Sequence, residues 1–176
     1  VMYRLRRAVF PECVIFEEDR YRFNTDLDYW YDVEEFDRLC DKAEQVKDNL
    51  ARQARLYRQA IELYRGDYLE DCYADWCLVE RERLQQRFLT ALERLARFYR
   101  QRKQYGQAIE LYRRLLLRDP YREDIYRETM ECYALSGDRA GIIQCYRECV
   151  QILEEELGLE PAPETQALYQ ELLRRG

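Results

Sequence analysis

Cysteines and arginines are the side chains whose type and spacing could do chemistry. Cys145 and Cys149 stand four apart, on one face of any helix that carries them, and Cys72 with Cys77 could be imagined as the other pair of a zinc site. Against this, the chain has no histidine and no Cys-x-x-Cys pair, so neither a metal nor a cofactor is expected. Lacking histidine, it also lacks the commonest general base near neutral pH. No nucleophile beside a base and no phosphate-cradling glycine loop is found, and the chain is not expected to be an enzyme. Carboxylate catalysis would require a deep pocket holding two acids of perturbed pKa.

Two groups of arginines remain. Arg97, Arg100 and Arg127 could fork onto the carboxylates of a partner; the plainer alternative is surface charge paired with neighbouring acids. Arg4, Arg6 and Arg7 form a basic run that could contact phosphates or bases, or be a solvated helix face.

The elements that must position these groups are helical. At 176 residues, 47% hydrophobic and 36% charged, the chain can bury a core. The longest aliphatic run, Leu115-Leu116-Leu117, is far too short to cross a bilayer, which needs roughly 20 apolar residues. No secretory signal is visible, and the expected location is cytoplasmic, without membrane contact. The seven cysteines are an odd number and mostly occupy helix positions suited to a small apolar residue, which argues against a disulfide framework. The formal charge of −6 is uneven: residues 1–24 are slightly basic and the rest acidic, so most of the surface should repel nucleic acid.

Residues Cys13–Phe16 and Tyr21–Phe23 are short β-prone runs around the polar Glu17-Glu18-Asp19-Arg20, a hairpin signal without an ideal turn pair. From about residue 26 the pattern is amphipathic helix. Asp32 and Glu35 suggest a capping box, and a second helix spans about Asn49–Arg65, stopping at Gly66. Further helices are expected near 75–102, 105–117, 122–135, 139–157 and 164–174.

A repeat then emerges. Tyr99 and Tyr133, Ala108 and Ile142, Tyr112 and Tyr146, and Leu115 and Cys149 are each 34 apart, the tetratricopeptide (TPR) period. Leu92, Leu95-Ala96, Tyr99, Ala108, Tyr112 and Pro120 fit the spacing of the TPR pattern. A second copy is divergent, with Glu154 where the proline should stand, so its second helix should run on to Leu157. Gln59–Tyr64 recurs as Gln107–Tyr112, offset by one repeat plus an insertion around Gly66–Asp75. The fold expected is all-α, a right-handed TPR-like α-solenoid, in which Arg97, Arg100 and Arg127 lie on the helices that usually line the concave face.

That insertion carries a resemblance. Tyr64-Arg65-Gly66-Asp67-Tyr68-Leu69, Tyr73-Ala74-Asp75-Trp76 and Glu80-Arg81-Glu82-Arg83-Leu84 resemble the bacterial transcriptional activator domain of SARP-type regulators. The stretch Leu157-Gly158-Leu159-Glu160-Pro161-Ala162-Pro163-Glu164-Thr165 resembles the same family's ending. In that family the repeat domain follows an OmpR-like winged helix. Arg4-Leu5-Arg6-Arg7-Ala8 and the hairpin resemble its last part, a recognition helix and wing. The resemblance thus implies a winged-helix remnant over 1–25 and a TPR-like activator domain over 26–176. It implies DNA contacts by Arg4, Arg6, Arg7, Arg20 and Arg22, made only when the whole winged helix holds them in place. It also implies protein contacts, with RNA polymerase or with a second copy in a homodimer, that let the regulator work at a promoter. The alternative is a TPR adaptor binding a peptide in its concave groove, unrelated to DNA.

Overall fold

A computed structural model describes residues 11–46 and 48–175. Arg4, Arg6, Arg7 and the recognition helix expected around them lie outside the described residues. By contact the chain divides into two compact units, one ending at Glu35 and the other beginning at Phe36.

In the first unit a 3-10 turn (Pro11–Cys13) leads into β1 (Val14–Glu17), which pairs antiparallel with β2 (Arg20–Phe23) in the register Val14↔Phe23 to Glu17↔Arg20. The connecting loop is Glu18-Asp19, and both residues have positive φ, 50° and 60°. A two-residue hairpin favours such left-handed turns because they match strand twist, although Asn-Gly would enter them at far lower cost. Phe16 packs against Tyr21 across the strands with ring centroids 4.7 Å apart, and Cys13 and Val14 are buried.

Seven helices follow among the described residues: α1 (Asp32–Gln45), α2 (Leu50–Leu63), α3 (Asp75–Gln101), α4 (Tyr105–Leu116), α5 (Glu123–Leu135), α6 (Arg139–Leu157) and α7 (Pro163–Arg175). The caps follow from sequence: Asn49 Oδ1 accepts the Arg52 N–H at 2.9 Å and Asp138 Oδ1 the Gly141 N–H at 2.8 Å. Asp32 is itself the first residue of α1, and its Oδ1 accepts the Val33 N–H at 3.0 Å. α2 ends at Leu63 instead of Arg65 because Tyr64 turns out of the helix (ψ 90°) to stack on Phe88, 4.1 Å away and nearly parallel. α6 does run through Glu154 to Leu157. It closes at Gly158, where φ of 65° allows the Leu159 N–H to reach the Leu153 carbonyl.

Each helix from α2 to α6 packs on its neighbour in sequence, and α7 packs on α5 and α6. This is the nearest-neighbour arrangement of a helical repeat. The positions in 34-residue register sit at the packing seams: Ala108, Leu115, Tyr112 and Cys149 are fully buried, and Ile142 and Tyr99 nearly so. Ala96 and Ala108 have no exposed surface, which lets α3 and α4 approach closely. The remaining in-register tyrosines, Tyr133 and Tyr146, are half-buried, and Tyr146 stacks on Tyr169 of α7 at 3.9 Å. Cys40, Cys77, Cys132, Cys145 and Cys149 are buried free thiols that act as small apolar side chains.

Candidate interaction site

The arginines singled out for a partner are engaged within the solenoid. Arg100, on α3, bridges Glu128 and Glu131 of α5. Arg97 pairs with Glu93 one turn away at 2.9 Å and lies 3.8 Å from Glu128. Tyr112 donates its hydroxyl to Glu128 at 3.1 Å, and that burial beside a carboxylate pushes the phenol well above its ordinary range. Glu128 therefore gathers Arg97, Arg100 and Tyr112 and ties α3 and α4 to α5. Arg127 serves a different joint: its Nη1 donates at 2.7 Å to Oγ1 of Thr165, a side chain with no exposed surface.

This last bond explains the chain's C-terminal motif. Glu123 on α5 accepts the Ala162 N–H at 2.8 Å, while Arg127, one turn on, holds Thr165. Together they fix the Pro161-Ala162-Pro163 entry to α7, with Pro161 buried beneath.

A cleft of about 730 Å³ opens between α3, α5 and α7 over the first turn of α6. Its apolar lining is Leu135, Ile142, Leu168 and Leu172, and its charged lining is Arg100, Glu131, Arg139 and Glu171. Arg100 thus holds the repeat joint and faces the cleft, whereas Arg139 reaches across to donate to the Leu173 carbonyl at 2.8 Å. An apolar lining with charges of both signs suits an amphipathic segment better than a small anion.

The insertion between α2 and α3 is held by residues whose role sequence reasoning missed. Arg81 donates through Nε to the Tyr68 carbonyl at 2.8 Å and through Nη2 to the carbonyls of Leu69 and of Cys72, the last at 3.1 Å. One guanidinium thereby satisfies three carbonyls of a loop that has no ladder of its own. Tyr64 donates to Asp67 at 3.0 Å, and Arg118, just past the end of α4, pairs with the same carboxylate at 2.8 Å. Two positions after Arg81, Arg83 forks onto Asp37 of α1 and onto Glu80; Arg87 joins Asp37 and Asp41. The Arg83 guanidinium holds Glu80 below the usual carboxylate range. The only available signal was the Glu80–Leu84 motif itself, which carries no mark of what it touches.

On the hairpin, Arg20 and Arg22 are exposed, and Arg22 donates to Glu17 across the strands at 3.0 Å. Beyond the loop, Tyr73, Trp76 and Val79 are 80%, 60% and 71% exposed, an apolar strip leading into the first turns of α3. Among the described residues no group of three or more His, Cys, Asp or Glu side chains is placed to hold a metal ion, and no helix is long and apolar enough to cross a membrane.

Comparison with known proteins supplies the family. The model of the bacterial transcriptional activator domain matches residues 31–173. The regulatory protein DnrI of Streptomyces peucetius is 30% identical over 146 residues, covering 81% of this chain and 54% of DnrI. The regulatory protein AfsR of Streptomyces coelicolor is 25% identical over 173 residues, 97% of this chain and 17% of AfsR. This chain spans about half or less of the length of the curated relatives it matches. Among solved structures, Mycobacterium tuberculosis EmbR, in complex with a low-affinity phosphopeptide, superposes with a TM-score of 0.65 at 20% identity, over 99% of this chain and 47% of EmbR. Both named curated relatives are regulatory proteins. The chain belongs to the bacterial transcriptional activator domain family of SARP-type regulators.

Proposed function

We propose that this chain is the effector part of a DNA-binding transcriptional regulator and acts in the cytoplasm. In this reading, residues 26–176 form the TPR-like activator domain that self-associates or contacts RNA polymerase. Residues 1–25 are the end of a winged helix, whose Arg4, Arg6, Arg7, Arg20 and Arg22 touch DNA once that domain is complete. The observation that carries the proposal is the family match across residues 31–173. The hairpin at 14–23 supports it, because a two-stranded wing is where basic residues meet DNA in winged-helix proteins, and Arg20 and Arg22 are exposed on its second strand. The acidic balance of the rest of the chain fits a partner that is protein.

The cleft between α3, α5 and α7 supports a second reading, an adaptor that takes an amphipathic peptide there beside Arg100, with Arg97 and Arg127 shaping the repeats behind it. A transcription assay separates the two. Purified polymerase and promoter DNA are supplied with a complete winged helix, either alone or followed by this chain. The proposal expects more transcript when the chain is present. Equal transcript in both cases, with peptide binding to the isolated chain, would favour the adaptor.

A further inference from the structure

We propose that Cys72 and Cys77 form a dithiol–disulfide site, which a hydroperoxide closes so as to lock the loop between Tyr64 and Asp75 onto the first turn of α3. The inference is independent of DNA binding.

The geometry is built around the Cys77 sulfur. Cys77 is fully buried, and its Sγ lies 3.9 Å from the Tyr68 carbonyl, 3.8 Å from the Leu69 carbonyl and 3.8 Å from Arg81 Nη2. Cys72 closes the turn over it: its N–H donates to the Leu69 carbonyl at 2.8 Å, and its own carbonyl accepts from the same Arg81 nitrogen at 3.1 Å. The Cys72 backbone thus shares the Leu69 carbonyl and the Arg81 guanidinium with the Cys77 sulfur, which sets the two cysteines side by side. The turn Leu69–Cys72 therefore wraps the Cys77 sulfur and sets Cys72 beside it; burial raises the Cys77 thiol above its ordinary range, and the Arg81 guanidinium alongside opposes that rise.

The remaining thiols are worse placed. Cys40, Cys132, Cys145 and Cys149 are buried within the helix packing, where burial pushes Cys132 up to about 11 and the other three up to about 12. Cys145 and Cys149 are also held on one regular helix, where joining them would distort the backbone. Cys72 alone of the seven is half-buried instead of buried, and is the thiol an oxidant reaches.

The chemistry balances with hydrogen peroxide as oxidant. The Cys72 thiolate attacks one peroxide oxygen, the O–O bond breaks, and the departing hydroxide takes up a proton to leave as water, giving a sulfenic acid. Cys77, losing its proton as it reacts, then attacks the Cys72 sulfur, the S–O bond breaks, and the expelled hydroxide leaves as a second water with the proton that Cys77 gave up. Two thiols lose two electrons and the peroxide gains them. The consequence is local: the loop carrying exposed Leu69 and Tyr73, and leading into Trp76, is fixed in place.

The test uses the whole chain. After brief exposure to hydrogen peroxide, free thiols are blocked with N-ethylmaleimide and the protein is cut with trypsin. Gly66–Arg81 is a single tryptic peptide containing both cysteines and no others. The proposal expects this peptide to lose the mass of two hydrogen atoms and take no maleimide before the other cysteines are oxidised, and dithiothreitol to reverse the change. In Cys77→Ala the reaction should stop at a Cys72 sulfenic acid that dimedone traps. In a Trp30→Phe background, Trp76 fluorescence should be quenched as the link forms. A Gly66–Arg81 peptide carrying two maleimides while other cysteines oxidise would overturn the site, and an unchanged Trp76 signal on linkage would overturn its effect on the loop.

Discussion

Replacing Arg81 with alanine removes the group that organises the insertion. The side chain makes three bonds to loop carbonyls, those of Tyr68, Leu69 and Cys72. A hydrogen bond from a charged donor contributes roughly 1.5–3 kcal/mol when buried. Arg81 is half-buried, and the freed carbonyls would regain some water, so the summed loss should be about 2–4 kcal/mol. In a chain of this length each kcal/mol moves the melting temperature by roughly 2–4 °C, which puts the expected drop on the order of 10 °C. Lysine keeps the charge but presents a compact ammonium that cannot span three carbonyls, so Arg81→Lys should recover less than half of the loss. Circular dichroism melts give the stability, and limited proteolysis between residues 66 and 74 reports the loop. Arg55→Ala, at an exposed site on α2, serves as the control and should stay within about 0.5 kcal/mol of the parent. The reasoning fails if Arg81→Ala melts with the parent, or if lysine restores both stability and protease resistance.

Other outcomes follow from single contacts. Arg127→Ala leaves the buried Thr165 hydroxyl without its donor and should cost about 1–3 kcal/mol in urea denaturation; adding Thr165→Val should cost less than the two separate losses combined. Changing Glu18-Asp19 to Asn-Gly relieves two left-handed residues and should stabilise the hairpin by roughly 1 kcal/mol, read from cross-strand NMR contacts between Val14 and Phe23 at rising temperature. Acid sensitivity comes from Glu80 and Asp124, whose carboxyls are held below their ordinary range by hydrogen bonds from Arg83 and Arg122. A folded pKa below the unfolded one stabilises above the ordinary carboxylate range and is lost as pH falls through the folded values. The urea midpoint should therefore decline between about pH 5 and pH 3, modestly because both groups are partly exposed, and Glu80→Gln with Asp124→Asn should flatten that slope.

The repeat was legible because packing dictates residue type at fixed spacing. Only small residues fit where Ala96 and Ala108 bring helices together, and only large ones fill the place of Tyr112, so a 34-residue period survives in the sequence. The starts of α2 and α6 were legible to within a residue, and in the structure Asn49 and Asp138 cap them. The end of α2 was not, because what stops it is Tyr64 stacking on Phe88, a partner 24 residues away. The site suffered from the same distance problem. Arg97, Arg100 and Arg127 were visible as arginines on the first helices of repeats, yet Glu128, Glu131 and Thr165 lie on other elements and no spacing rule connects them. Arg81 was harder still: it binds backbone carbonyls, which leave no trace in the residue letters.

The most direct measurement of the central claim is a DNA titration at two salt concentrations, using promoter and scrambled duplexes. It compares this chain alone with the chain preceded by a complete winged helix. The account predicts that the chain alone binds weakly, since only a few arginines are available to displace counterions, with equal affinity for both duplexes and a purely electrostatic attraction that fades as salt rises. With the winged helix complete, binding should become specific for the promoter, and Arg20→Ala or Arg22→Ala should weaken it. Tight promoter-specific binding by the chain alone, or no specific binding by the completed form, would contradict the account.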